Sequence, residues 1–395
     1  MIESKDVVIS GGGIAGLVAA TAFGDAGFDV LCVEPNPPIA ENSAKGVDLR
    51  TTAYLQPAQD FLEKIGVWKH VKMHSAPLQI MRVSDVGVEK LVTKDFNAKD
   101  ISDQPFGWNV GNWQMRAGLM MRIDELPNVE IRTQITTTAV RTRSTEARIY
   151  LSDGHQISCK LLIAADGRDS EIRKHFKIPM RRTEFDQLAL SFAVTHTQPH
   201  ENISTEVHKI GGPFTLVPLP DHEGSPSSAV IWMDKATEIR ARQILPIEDF
   251  NATITERSGH VNGNLKLVTA RSVWPIISQL SDRFDAERTA LIGETAHVVP
   301  PIGAQGLNLS IGDIKLLINL WSTKTKNHDT TTLLSNYSKP RRAIALGRIL
   351  AVSALNRLSM ADNSLLLQAR SAGLSTLHQI APLRKNVMRL GVGRR

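Results

Sequence analysis

Residues 7–20, VVISGGGIAGLVAA, run apolar through Val7, Val8 and Ile9, break into three consecutive glycines, and resume as small aliphatic residues. Gly11, Gly13 and Gly16 fit the spacing G-x-G-x-x-G between a strand and a helix, which is the pattern of a dinucleotide-binding turn. The first glycine makes the turn, the second lets a pyrophosphate reach the main chain, and the third lets helix and strand pack closely. The anion then rests on free N–H groups at the helix start, with Ala15 beside the approach. A second apolar run, Asp29 to Val33, ends in Glu34, eighteen residues after Gly16. An acid at that place can hydrogen-bond a ribose diol.

The chain of 395 residues has room for about two domains. Its two cysteines, Cys32 and Cys159, lie in apolar strand-like runs and read as small buried hydrophobes rather than disulfide partners or thiolate ligands. No metal site is expected. The net charge of +6 is concentrated at one end: Arg370, Arg384, Lys385, Arg389, Arg394 and Arg395 fall in an acid-free stretch from residue 363 onward. What precedes it is neutral overall, and no zinc-finger spacing or aromatic platform accompanies the charge, so nucleic acid is not an expected partner. The first strand begins almost at residue 1 and no uncharged stretch reaches the ~20 residues of a membrane span. A cytoplasmic setting is expected, with the basic tail and its neighbours Leu374, Leu377, Ile380 and Leu383 available for peripheral contact with the inner membrane or a biosynthetic complex.

Farther along, Glu41 to Thr52 is polar and Ala58, Phe61, Leu62 and Ile65 form one face of a helix. Residues 76–106 alternate like strands, and Asn112 to Ile123 reads as a helix. From Leu188 to Met233 long strands alternate with Gly-Pro and Pro-Asp turns, the pattern of an antiparallel sheet. The predicted fold is α/β: a Rossmann-like nucleotide-binding domain built discontinuously from 1–75, 105–180 and 281–325, a β-rich substrate domain from 76–104 and 181–280, and a helical region over 326–395.

Two further strand-to-helix turns stand out. In LLIAADGRDSEIRK, 161–174, Asp166 follows an apolar strand and precedes a helix start. In ALIGETAHVVPPIGAQGLNLSIGDIKLL, 290–317, a strand leads to Gly293-Glu294, then to stiff Pro300-Pro301, then to Gly303 and Gly306 before a helix. Prolines that fix the backbone and glycines that clear side chains suit a flat ring lying against main chain, and a helix start at Leu307 and Asn308 could stabilise negative charge on it.

With these residues in view the chain resembles the class A FAD-dependent aromatic hydroxylases of the para-hydroxybenzoate hydroxylase type, and more narrowly the ubiquinone-biosynthesis hydroxylases. The narrower likeness rests on DLRTTAYLQPAQDFLEKIGVW at 48–68, PPIGAQGLNL at 300–309 and YSKPRR at 337–342. The resemblance implies that Gly11, Gly13, Ala15, Gly16 and Glu34 hold the ADP half of FAD and that Arg50 lies near the flavin. It places Asp166 in a motif tied to FAD and NAD(P)H, sets Gly293 and Glu294 on the ribityl chain, and borders the ring with Pro301, Gly303, Gly306, Leu307 and Asn308. Two positions depart from the family pattern: Glu294 stands where Asp is usual, and Trp113 where Arg is usual, with Gln114 beside it as a weak substitute. His297 matches a family position and reads as packing or hydrogen bonding.

The chemistry implied is carried by the cofactor, so no catalytic side chain is singled out. By resemblance, NAD(P)H reduces FAD, O2 adds at the flavin C4a to give a hydroperoxide, and one oxygen passes to the ring of a polyprenylated phenol. GGPFTLVPLP, 211–220, is the expected pocket wall, through Phe214, Leu216, Val217 and Leu219. The same motifs would also serve a hydroxylase of a small aromatic compound, a prenyl-chain reductase, or a quinone-binding scaffold without catalysis.

Overall fold

A computed structural model describes residues 2–39, 47–86, 91–209, 211–323, 329–360 and 364–393. The opening apolar run forms the strand Glu3–Ser10, which lies between the parallel strands Val30–Glu34 and Gln156–Ala164. Val129–Thr133 and Thr289–Leu291 extend this parallel core on its two sides. Val7, Val8, Ile9 and Leu161 to Ala164 are fully buried, as a parallel sheet covered on both faces requires. The register puts the strand ends side by side: Ser10 pairs with both Val33 and Ala164, and Ala164 with Leu291. Three turns that are distant in sequence therefore emerge along one edge.

A nine-stranded sheet forms the second layer, with Met180–His196, Ser225–Lys235 and Gly212–His222 at its centre. It is antiparallel except where Ile203–Lys209 runs parallel to Ile80–Val86, so the expected antiparallel layer contains one parallel pairing. The short strand His297–Val298 pairs with Ser272–Ser281 and forms one edge of this sheet, so part of the third turn joins the second layer. Helices Ala236–Gln243 and Ile247–Ser258 supply Ile239, Phe250 and Ile254 to a core on one face of the sheet, together with Phe192, Val230 and Trp232. On the other face Ala189, Met233 and Ile276 pack with Ile231 and with Ile302 of the third turn. That face looks toward the three turns.

A small sheet of Thr51–Leu55, Gly107–Gly111 and Ala76–Pro77 bridges the layers, and its Asn109 donates to the Pro218 carbonyl at 2.9 Å. Helices Gln305–Ser322 and Thr330–Ser359 back the first sheet, and Ser364–Gln379 and Ala381–Val392 end the described chain. Residues 40–46 of the polar stretch lie outside the described residues, as do Arg394, Arg395 and the side chain of Arg370.

Candidate active site

The first turn is shaped by what it lacks. Gly11 has φ +109°, and a Cβ there would stand 2.2 Å from the Ala165 carbonyl oxygen. A Cβ on Gly16 would stand 1.8 Å from the Gly11 oxygen, so both glycines are demanded by the fold itself. Gly13 differs: its φ of −64° suits any residue, and a Cβ would meet nothing within 4 Å. The space in front of it is open, and helix Ile14–Asp25 begins there without a side-chain cap. Its first N–H groups have no partner inside the helix. Glu34 sits alongside, its carboxylate accepting from the Gly12 N–H at 2.5 Å and the Asn36 N–H at 3.2 Å.

At the second turn Asp166 accepts from Thr295 Oγ1 at 3.1 Å and from the Ile172 N–H at 3.2 Å. It is not the cap of the following short helix, a role taken by Ser170, whose Oγ accepts from the Arg173 N–H. The buried Arg173 donates to the carbonyls of Thr295 and Arg168, tying the second turn to the third. Arg168 pairs with Glu294 at 3.2 Å, so the lengthened acid lies half-exposed beside the second turn.

The third turn meets the first where a Cβ on Gly293 would stand 3.2 Å from the Ala15 Cβ. Beyond it, Gly303 and Ala304 take left-handed conformations, and the helix starts at Gln305, two residues before the expected Leu307. A Cβ on Gly306 would meet nothing within 4 Å, a second open approach. Asn308 is committed to the scaffold: its Oδ1 accepts from the Leu55 N–H, and its Nδ2 donates to the Ala53 and Ala304 carbonyls. At this helix start it is the backbone N–H groups of Gln305 to Leu307, not the Asn308 amide, that have no partner inside the helix. Pro301 lies in the segment between, next to Ile302 and its apolar contacts.

Behind this turn lies a buried charge network that the sequence reading missed. Asp313 accepts from His297 Nε2 at 2.7 Å and Arg341 Nε at 2.6 Å, and Arg341 also donates to the Leu309 carbonyl. Burial pushes the Asp313 carboxyl up, but Arg341 and His297 outweigh it and hold the group below the ordinary carboxylate range. YSKPRR is the outer half of the same brace: Tyr337 donates to the Leu291 carbonyl, Ser338 accepts from the Phe284 N–H, and Arg342 donates to the Ser281 carbonyl. His297 thus plays the hydrogen-bonding part expected of it.

Arg50 is fixed by a two-pronged pair with Asp48, at 2.7 Å on each prong, and lies over the Trp274 ring at 3.8 Å. Asn112 donates to the same Asp48. Trp113 makes no polar bond here, and Gln114 is folded back onto the Gly111 N–H, so neither replaces the missing arginine. Arg116, one turn on, reaches the Ile39 carbonyl and keeps a buried Nε without a partner. Its place four residues after Asn112 on one helix was the available signal.

Of the expected pocket wall, Phe214 and Leu216 belong to the core against the outer helices, on the face turned away from the site. The strand alternates, so Val217 and Leu219 point to the inner face instead. A cleft of about 330 Å³ lined in part by Arg82, His200 and Asn262 lies at the other side of the sheet, away from the three turns. Cys32 and Cys159 are buried, and burial pushes each thiol up to about 12.

Residues 4–349 match the family described as FAD binding domain. The chain belongs to that family. It is 29% identical over 391 residues to a Rhodospirillum rubrum protein named ubiquinone hydroxylase UbiL, covering 98% of this chain and 89% of the relative. It is 25% identical over 324 residues to the Escherichia coli 3-demethoxyubiquinol 3-hydroxylase, covering 80% of each. Among solved structures, p-nitrophenol 4-monooxygenase PnpA from Pseudomonas putida superposes with a TM-score of 0.81 at 17% identity over the full length of both chains, which shows the shared fold. The open approaches at Gly13 and Gly306, on one line of turns with Ala15 against Gly293, fit an extended dinucleotide such as FAD.

Proposed function

We propose that the chain is an FAD-dependent monooxygenase that hydroxylates the ring of a polyprenylated phenol in ubiquinone biosynthesis, with NAD(P)H and O2 as co-substrates. The observation that carries this reading is the alignment of three strand-end turns, two with space that no side chain fills, beneath an apolar sheet face. Bound FAD, reduced by NAD(P)H, supplies the electrons for inserting one atom of O2 into the ring.

The chain's own residues do the rest. The uncapped start of helix Ile14–Asp25 and the open Gly13 receive the pyrophosphate, and Glu34 has lone pairs left for the ribose hydroxyls. Glu294, half-exposed beside Arg168, would hold the ribityl chain. Arg50, fixed by Asp48 and Trp274, presents a cation on the ring side. N–H groups of Gln305 to Leu307 would stabilise negative charge on the ring, with Pro301 and Gly303 bordering the space that would hold it. Ile302, packed with Ala189, Met233 and Ile276, supplies an apolar patch that would keep water from the ring. In this reading the first sheet and its turns form the cofactor domain over the ranges read from the sequence, and the second sheet covers the substrate.

Among the described residues no helix is long and apolar enough to cross a membrane. A prenylated substrate nevertheless partitions into lipid, and exposed leucines suit a peripheral approach. Leu350 and Leu355 of helix Thr330–Ser359 are exposed, as are Leu383, Val387 and Leu390 of the last helix, which also carries Lys385 and Arg389; Arg348 joins the two helices at the Leu390 carbonyl. Arg384 is spent inside the fold, on the His378 carbonyl and on Asp100 at 3.2 Å.

The test has two parts. Purified protein binds FAD and couples NAD(P)H oxidation to a hydroxylated phenol. A chromosomal deletion then accumulates an under-hydroxylated quinone precursor that the wild-type gene clears. Normal ubiquinone in the deletion strain rejects the assignment.

A further inference from the structure

The inner face of the second sheet carries one polar pair that nothing above uses. His208 Nε2 lies 2.6 Å from Glu206 Oε1, and Thr215 also hydrogen-bonds that carboxylate. His208 is 8% exposed, and its Nδ1 is buried without a hydrogen-bond partner. Buried polar atoms are nearly always satisfied, so a lone one calls for an explanation.

Register says where the pair stands. Asp85 pairs with His208, His208 with Pro213, and Pro213 falls opposite Met233, one step from the pairing of Phe214 with Trp232. Met233 pairs with Ala189 and Ala189 with Trp274. All these side chains share the face that meets Ile302 and, through Trp274, Arg50. His208 is two strands from Met233, about 10 Å, the scale of one substituted phenol ring and its reach.

We propose that His208 is a catalytic residue whose Nδ1 accepts the proton of the substrate's phenolic hydroxyl, with Glu206 as its positioning residue. The inference rests on the hydroxylase reading above. Burial pushes the Glu206 carboxyl up, but the His208 and Thr215 bonds outweigh it and keep the group anionic at neutral pH. An anionic Glu206 accepts the Nε2–H, which leaves the lone pair on Nδ1. The phenol O–H bond breaks, the proton goes to Nδ1, and the electron pair stays on oxygen. The resulting phenolate makes the ring more electron-rich toward the incoming oxygen, and the imidazolium is balanced by Glu206. After insertion the proton returns to the product hydroxyl. Other charged or titratable groups on this face include Asp85, buried and engaged in an interaction of its own, Lys94, two strands from Glu206 on its row, Arg50 over Trp274, and His378 against the Phe96 ring.

The experiment uses full-length holoenzyme, a short 2-prenylphenol as turnover probe and 4-nitrophenol as binding probe. FAD content and melting temperature control for folding. His208→Phe loses about 100-fold in hydroxylation at neutral pH. The loss shrinks as pH approaches the phenol's own pKa of about 10. His208→Asn, which keeps a hydrogen-bonding group near the Nδ1 position, shows the same pH-dependent loss in kcat with little change in KM. Glu206→Gln loses about tenfold, at the low end for a group that only orients a base. On binding, wild type raises the phenolate absorbance of 4-nitrophenol and His208→Phe does not. Folded variants with no loss, or with a loss independent of pH, overturn the proposal. If wild type turns over no phenol, the hydroxylase reading fails, and the 4-nitrophenol titration alone decides whether His208 takes a phenolic proton.

Discussion

The two ends of the cofactor groove are built from opposite resources. At the Gly11–Gly16 end the shape comes from missing side chains, and every requirement lies within ten residues of sequence or one strand away. At the Pro300–Gly306 end the loop is held from behind by Asp313, His297 and Arg341, drawn from three elements. The first end is specified by local backbone geometry. The second depends on a buried charge cluster that forms only when the helices dock. A ligand-shaped space can thus be written locally or imposed from a distance, and the two should fail differently.

The sharpest break is Gly13→Val. Its φ tolerates a β-branched residue and no atom lies within 4 Å of the new Cβ, so the apo fold should keep its stability within ~0.5 kcal/mol. FAD occupancy should nonetheless vanish, read from the colour of the purified protein and from flavin released on denaturation. Retained flavin would mean that the open space belongs to something else.

At the other end Asp313→Asn should reverse that pattern, costing about 3 to 5 kcal/mol in urea unfolding because Arg341 is left buried without its anion. The acid behaviour follows from the lowered Asp313 pKa. A group with a depressed folded pKa stabilises above its unfolded value, about 3.9, and the contribution is lost as pH falls through the folded value. The wild-type advantage over Asp313→Asn should hold from neutral pH down to that range and shrink below it. A constant gap at all pH values would remove Asp313 from the brace.

Between the ends stands Glu294. Glu294→Ala should weaken FAD binding by about 1.5 to 3 kcal/mol, while Glu294→Asp keeps it. Equal flavin affinity in all three proteins, measured by fluorescence titration, refutes the ribityl contact. The smallest effect belongs to the surface. Lys385→Ala should cost about 1 kcal/mol of binding to anionic vesicles, and Leu350→Asp should lower co-sedimentation further. Sedimentation that ignores both substitutions and added salt assigns the patch to some other use.

The first sheet and all three turns were legible because each is a contiguous strand, turn and helix with its own spacing. Phe214 and Leu216 were misplaced for an equally definite reason. In a strand covered on both faces both sets of side chains are apolar, so composition does not say which set faces the substrate; only the helices packed on the far side decide it. The Asp313 brace and the Asp48–Arg50 clamp escaped notice because their members are polar residues of ordinary type. Their meaning lies in partners far off in sequence or in a buried setting. Asn308 belongs by resemblance to the stretch bordering the ring, and the structure adds what the motif does not say: its side-chain amide bonds the backbone of Leu55, Ala53 and Ala304.

Gln305 Nε2 donates to the Gly391 carbonyl, so the last described helix touches the Pro300–Gly306 loop. This contact sets an order of assembly. A chain emerging from the ribosome at roughly 5 to 20 residues per second completes Gly16 within the first few seconds, but Gly391 follows only on the order of 20 to 75 s later. Through that interval the Gly11–Gly16 turn can exist while the Pro300–Gly306 loop lacks its contact with Gly391. Docking of the last described helix onto this loop is therefore a late step of synthesis, well after the first turn is complete.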